Sequence, residues 1–233
     1  MTSRSTMPAA DAAALLERLR GRLVVSCQAP PDDPLGTPEH LAAIAASVAR
    51  APVAGIRAQG PANLRAIREV LSLPLIGLWK DGADGVYITP TRRHAAAVVE
   101  AGADIVAIDA TDRPRPDGLT FADSVAHVHR LGRLVLADVS TLAEGVAAEQ
   151  AGADMVATTL SGYTPYSPQQ SGPDLDLVAA LAARVRVPVV AEGRLHTPDQ
   201  ARAALEAGAW TVVVGTAITA PVALARRFAS ALE

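Results

Sequence analysis

A lysine ends the short apolar run Leu75-Ile76-Gly77-Leu78-Trp79-Lys80, and a glutamate ends Val189-Val190-Ala191-Glu192. An amine and a carboxylate brought to one cavity suit proton transfer at a carbon beside a carbonyl, where one group moves the proton and the other manages the oxygen. A free lysine is a poor base for that task, because lowering its pKa from about 10.4 to about 7 takes ~4 to 5 kcal/mol of differential stabilisation. Burial and a neighbouring cation such as Arg57 or Arg194 work in that direction, whereas an ionised Glu192 works against it. The same two residues also fit a second reading, a buried ion pair that braces the fold.

The layout of apolar run and polar terminus recurs at Ser26-Cys27-Gln28, Ile56-Arg57, Ile108-Asp109, Ala137-Asp138, Thr158-Thr159 and Val214-Gly215-Thr216. These polar groups are too many for stability alone, since each desolvated one needs a partner. Gly193, Arg194, Gly215 and Thr216 offer backbone N–H groups that suit one anion, with glycine allowing close approach; two ordinary turns are the alternative. Ser161-Gly162-Tyr163-Thr164-Pro165-Tyr166-Ser167-Pro168 holds two of the chain's three tyrosines and reads as a lid, or as a surface loop docked on a rim. The segment from Asp109 to Gly118 carries Arg113 and Arg115, which either meet an anion or face solvent. None of the five histidines, His40, His94, His127, His129 and His196, ends an apolar run, so no metal site is expected. Cys27 reads as a small buried hydrophobe.

The elements that must position these groups follow from the spacing. Apolar runs begin near Leu23, Gly55, Leu75, Ile105, Leu134, Met155, Val189 and Thr211, and each interval has room for one helix. Leu64, Ile67, Val70 and Leu71, and again Leu175, Val178, Leu181 and Val185, form helical stripes. Glu100-Ala101-Gly102-Ala103, Gln150-Ala151-Gly152-Ala153 and Glu206-Ala207-Gly208-Ala209 each precede a run, with a glycine placed to end a helix in the left-handed conformation. Pro74 and Pro188 mark the starts of two further strands. This alternation predicts an α/β fold, a closed (β/α)8 TIM barrel; a doubly wound open sheet is the rival, disfavoured by the lack of a Gly-x-Gly-x-x-Gly after the first strand. In such barrels chemistry sits at the carboxyl ends of the strands, and phosphate often sits on the loops after the last two.

Composition sets the outer bounds. A chain of 233 residues, 50% hydrophobic and 19% charged, is expected to form one domain, with residues 1–20 as a tail and a short capping helix from Asp11 to Leu19. A net charge of -3 gives no footprint for nucleic acid or an anionic membrane, so a small molecule is the expected partner. The single cysteine, the lack of a spanning apolar run and the polar, charge-broken start point to a soluble protein of the cytoplasm.

Several stretches together resemble the N-acetylmannosamine-6-phosphate 2-epimerase family: Val25-Ser26-Cys27-Gln28-Ala29, Gly55-Ile56-Arg57-Ala58, Gly77-Leu78-Trp79-Lys80, Val86-Tyr87-Ile88-Thr89-Pro90-Thr91, Ala137-Asp138-Val139-Ser140-Thr141, Thr158-Thr159-Leu160-Ser161-Gly162-Tyr163-Thr164, Ala191-Glu192-Gly193-Arg194 and Val213-Val214-Gly215-Thr216-Ala217-Ile218-Thr219. The likeness runs from Leu23 to Thr219. It implies a cofactor-independent barrel that interconverts N-acetylmannosamine 6-phosphate and N-acetylglucosamine 6-phosphate in amino-sugar or sialic acid catabolism, with a homodimer as the family's assembly. By that resemblance Lys80 removes and returns the C2 proton, Glu192 assists ring opening, and Gln28, Arg57 and Asp138 hold the sugar; Tyr163, by its residue type, suits covering a sugar face. Two departures stand out: Ala220 replaces an arginine usual in the family, leaving Arg194 or a neighbouring subunit to compensate, and the loop Asp81-Gly82-Ala83-Asp84-Gly85 is shorter than usual. A Schiff-base aldolase using Lys80, or a phosphosugar sensor without turnover, are the competing functions.

Overall fold

The computed structural model describes residues 7–30, 32–82 and 84–232. The polar start from Met1 to Thr6, and Ala83 of the short loop, lie outside the described residues. Parallel strands β1 (Leu23–Cys27), β2 (Gly55–Gln59), β3 (Leu75–Leu78), β4 (Ile105–Asp109), β5 (Leu134–Asp138), β6 (Met155–Ala157), β7 (Val189–Glu192) and β8 (Thr211–Val214) follow one another around a closed ring. Before, between and after them stand α1 (Ala9–Leu19), α2 (Pro38–Val48), α3 (Pro61–Val70), α4 (Arg92–Glu100), α5 (Phe121–Arg130), α6 (Leu142–Gln150), α7 (Leu175–Arg184), α8 (Pro198–Glu206), α9 (Thr216–Thr219) and α10 (Pro221–Ala229). Pairing of β1 with β8, Val24 opposite Val213, closes the ring and excludes the open sheet.

The two-residue period of a strand divides its side chains between two cores. Val24, Ile76, Leu78, Ile105, Ala107, Leu134, Leu136, Met155, Ala157, Val190 and Val213 pack together in one, which fills the barrel. The alternate residues, such as Val25, Ile56, Ala58, Leu75, Val106, Ile108 and Val135, face the helices with Leu64, Ile67 and Val98. Full burial of side chains of this size stabilises by roughly 1.5–3 kcal/mol each. On the helix-facing side of β3 a Cβ at Gly77 would stand 2.7 Å from Ala103 Cβ and 2.8 Å from Val98 Cγ1, so glycine lets α4 pack directly on the strand that leads to Lys80.

Helix ends follow local chemistry. Thr120, Thr141 and Thr197 cap α5, α6 and α8 in reciprocal boxes with Asp123, Glu144 and Gln200. Gly102, Gly152 and Gly208 have φ of 98°, 93° and 105°, ending α4, α6 and α8 as their sequence pattern predicts. Pro74 and Pro188 stand just before β3 and β7, where proline is tolerated, and their carbonyls accept from Ile56 and Val156 on the neighbouring strands. On α7 buried Val178 and Leu181 bear out the stripe, while Val185 is buried just past the helix end in extended backbone. The α3 stripe is shorter than expected: Leu64 and Ile67 are buried, but Val70 is 53% exposed and Leu71 is already extended. At the other end α1 begins two residues before the predicted Asp11, packs Leu15, Leu16 and Leu19 with the barrel-filling core, and accepts Trp210 Nε1–H at Leu16 O. Among the described residues no helix is long and apolar enough to cross a membrane.

Candidate active site

Extending the inward register one step past each barrel-filling residue reaches Ser26 after Val24, Lys80 after Leu78, Asp109 after Ala107, Asp138 after Leu136, Thr159 after Ala157, Glu192 after Val190 and Gly215 after Val213. Arg57 takes the same parity on β2, between the helix-facing Ile56 and Ala58. The polar termini are therefore one layer of the barrel stacked on the apolar one, at the carboxyl ends of the strands. A cavity of 320 Å³ opens there, lined among others by Ser26, Gln28, Arg57, Lys80, Tyr87, Thr159, Tyr163, Glu192, Gly193, Arg194, Gly215 and Thr216. Every predicted site residue lines it except Asp138, which lies beneath Arg57.

Arg57 organises the floor. It is 1% exposed and meets Asp138 through two hydrogen bonds, Nη1 to Oδ1 at 3.1 Å and Nη2 to Oδ2 at 2.6 Å, while Nη1 also reaches Glu192 Oε2 at 2.9 Å. Burial alone would favour the neutral guanidine, but the two carboxylates overcome it and hold Arg57 charged, above its ordinary pKa. The buried ion pairs of this site thus run from Arg57 to Asp138 and Glu192. Among the described residues Lys80 enters no ion pair, so the bracing pair between Lys80 and Glu192 that the sequence allowed is absent.

The Lys80 amine and the Glu192 carboxyl group are displaced toward one another in pKa. Burial, then Arg57, lowers the Lys80 ammonium from its ordinary value, against the opposing pull of Glu192 and Asp138. Of the two cations expected to help, Arg57 acts and Arg194 does not. Burial raises Glu192 to about 7, with Asp138 adding to the rise and Arg57 opposing it. Thr159 connects the carboxylates, its Oγ1 lying 2.7 Å from Asp138 Oδ1 and 3.2 Å from Glu192 Oε2. A hydroxyl has one proton to give, so a protonated Glu192 completes this chain by donating to Thr159 while Thr159 donates to Asp138.

Gln28 donates from Nε2 to Ser26 Oγ at 2.9 Å, and its buried Oε1 has no protein partner among the described residues. Arg194, with φ of 54°, is turned away from an anion-binding role through its side chain: Nη1 donates to Ser161 O and Nε to Gly172 O at 2.8 Å, and the guanidinium lies 5.6 Å from the Tyr163 ring centroid. It therefore ties down the loop after β6, and both Arg194 and Ala220 line the cavity. Gly193, with φ of 112°, and Gly215, where a Cβ would stand 3.1 Å from Ser26 Cβ, bring backbone close to the cavity, and Thr216 opens α9.

The loop after β6 is internally bonded. Its first residues, Thr158 to Leu160, form a 3-10 turn, then Ser161 Oγ donates to Asp174 Oδ2, Thr164 Oγ1 to Ser167 Oγ at 2.8 Å and Tyr166 OH to Glu144 Oε1 at 2.8 Å. Tyr163 lines the cavity while 58% exposed. Neither arginine after β4 is exposed, and groups of the protein itself hold both. Arg113 Nη2 donates to Asp109 Oδ2 at 2.8 Å, and Arg115, 9% exposed, donates to Asp109 O at 2.6 Å and Thr89 O at 3.2 Å. Cys27 is fully buried among helix-facing apolar residues, which pushes its thiol up to about 12. His94 lies behind the site, its Nε2 3.0 Å from Asp81 Oδ2 and its ring edge-on to Trp79. Among the described residues no three His, Cys, Asp or Glu side chains are grouped to hold a metal ion.

Two further residues line the cavity, Thr159, already a polar terminus in the sequence, and Tyr87, which no pattern marked. Thr159 was within reach of the strand period, two positions after Ala157. Tyr87 was not, because the turn that carries it back over the barrel has no periodic signal; it lines the cavity, and burial followed by Asp138 and Asp109 raises its phenol, keeping it a neutral donor.

A closed barrel presenting an amine with a lowered pKa, a carboxyl group titrating near neutrality and a caged arginine at its carboxyl face defines an enzyme of the proton-transferring barrel class. Residues 41–233 match the family model described as "Putative N-acetylmannosamine-6-phosphate epimerase". Relatives bearing the corresponding 2-epimerase description include one from Cutibacterium acnes, 46% identical over 94% of this chain and 97% of its own, and one from Caldanaerobacter subterraneus subsp. tengcongensis, 46% identical over 94% of each. A solved structure of the N-acetylmannosamine-6-phosphate 2-epimerase from Clostridium perfringens superposes with a TM-score of 0.90 at 42% identity, covering 93% of this chain and 95% of that one. The chain belongs to the N-acetylmannosamine-6-phosphate epimerase family.

Proposed function

We infer that the protein interconverts N-acetylmannosamine 6-phosphate and N-acetylglucosamine 6-phosphate by proton transfer at C2. The observation that carries this reading is the placement of Lys80 and Glu192 in one cavity, with the amine lowered and the acid raised toward neutral pH. Opening of the sugar ring moves a proton from the anomeric hydroxyl to the ring oxygen, and a carboxyl group titrating near 7 serves both halves of that exchange. The aldehyde so released acidifies C2. Lys80 takes the C2 proton, Glu192 protonates the developing oxyanion, and Arg57 supplies fixed positive charge nearby. Inversion then requires the enol to present its other face before the proton returns. Since the substrate's own carbonyl activates C2, these steps call on no metal or nucleotide.

In this reading Gln28, whose Oε1 lacks a protein donor, accepts a hydrogen bond from the sugar; Tyr163 covers the sugar, and Asp138 acts through Arg57. The backbone of Gly193, Arg194, Gly215 and Thr216 takes the phosphate. The protein is assigned as a single barrel domain with α1 as its cap, acting in the cytoplasm in amino-sugar and sialic acid catabolism. A homodimer completes the assignment, the exposed Val222 and Phe228 of α10 giving a second copy an apolar face to cover.

The test is incubation of the metal-free protein with N-acetylmannosamine 6-phosphate, followed by NMR. Appearance of N-acetylglucosamine 6-phosphate is expected, with no adduct trapped by borohydride. A reduced adduct on Lys80 would instead favour the Schiff-base aldolase, and binding without conversion would favour a sensor.

A further inference from the structure

Lys80 is not held by the barrel ladder. β3 ends at Leu78, and Lys80 pairs with Ile88 in an isolated antiparallel bridge. That bridge is flanked by two backbone bonds, Asp81 N to Tyr87 O at 3.0 Å and Thr89 N to Trp79 O at 2.8 Å, so the amine rides on a small hairpin that folds back over the barrel. A two-stranded hairpin is marginal unless something anchors it.

Thr89 is a principal anchor. Its Oγ1 accepts from Trp79 N at 3.2 Å and donates to Ala107 O on β4 at 2.7 Å, joining the residue before Lys80 to a barrel strand through one atom. Its carbonyl accepts from Arg115, and its side chain is 1% exposed, outside the cavity lining. The backbone is left-handed there, φ 49°, a conformation that β-branched residues avoid. Glycine would adopt it at lower cost. What threonine adds is the hydroxyl, and such strain persists where the surroundings over-determine the conformation.

We propose that Thr89 is a positioning residue for Lys80: its hydroxyl fixes the segment from Trp79 to Asp81 against β4 and so sets where the amine stands relative to Glu192. This rests on the epimerase reading above. The test compares kcat, KM and Tm for Thr89→Ser, Thr89→Ala and Thr89→Gly with the wild type; the glycine variant loses the hydroxyl but relieves the left-handed strain, and so serves if Thr89→Ala does not fold. Loss of the hydroxyl is expected to lower kcat about 100-fold, the scale of a misplacement near 1 Å, while KM stays near the wild-type value. Thr89→Ser is expected to recover most of kcat. Unchanged kcat in the folded alanine or glycine variant, or a serine variant as impaired as alanine, would overturn the role. Wild-type turnover separates the two failures: without it the epimerase reading falls, and with it only the role of Thr89 does.

Discussion

Arg57 is the residue on which the chemistry of the site turns, because one buried guanidinium faces two carboxylates from two other strands. Removing one partner of a buried pair strands the other, so Asp138→Ala should cost about 3–5 kcal/mol, read from urea unfolding. A loss indistinguishable from that of an exposed aspartate would show that Arg57 does not depend on it. Glu192 works in the opposite sense. Its folded pKa of about 7 lies above its ordinary 4.5, so the native state holds a proton that the unfolded chain releases between those values. This group's contribution to stability therefore falls as pH rises from about 4.5 to 7, and Glu192→Gln, which cannot titrate, should flatten that part of a Tm–pH curve. An identical slope in variant and wild type would refute the raised pKa. Lys80 and Glu192 were legible in the sequence because a charge ending an apolar run has few structural uses. The work of Arg194 was not, since its carbonyl acceptors, Ser161 and Gly172, are far away in the chain and leave no mark in its own neighbourhood.

Strands set the site by alternation, and loops set it by side-chain bonds. The strand starts were readable because proline and glycine punctuate them, and with the starts known the inward parity of Asp138 and Glu192 follows. The hairpin carrying Lys80 and Tyr87 was not readable: its register depends on Thr89 bonding across to β4, a tertiary contact. The loop after β6 makes a similar case. Arg194 donates to its Ser161 and Gly172 carbonyls, so Arg194→Ala should loosen it, raising amide exchange across 161–172 and raising KM about tenfold, equivalent to ~1.4 kcal/mol of lost binding. Unaltered exchange and KM would mean that the loop's own bonds, such as Thr164 to Ser167, suffice to order it.

At the scale of the molecule, closure of the ring converts strand ends separated along the chain into one layer of polar groups around a cavity. Arg57, Lys80 and Glu192 come from or just follow β2, β3 and β7, and the closed barrel brings them to one cavity, with Asp138 of β5 bonded to Arg57 beside it. Eight apolar runs, each interval long enough for one helix, made closure legible, whereas the shape of the cavity depended on loops whose bonds the sequence does not advertise. The most direct measurement is incubation of N-acetylmannosamine 6-phosphate with the protein in deuterated water, following C2 by NMR in wild type and Lys80→Ala. Exchange through the amine predicts that the epimer forms with deuterium at C2 and that both epimer and label vanish in Lys80→Ala. An epimer that keeps protium at C2, or full labelling in Lys80→Ala, would contradict it.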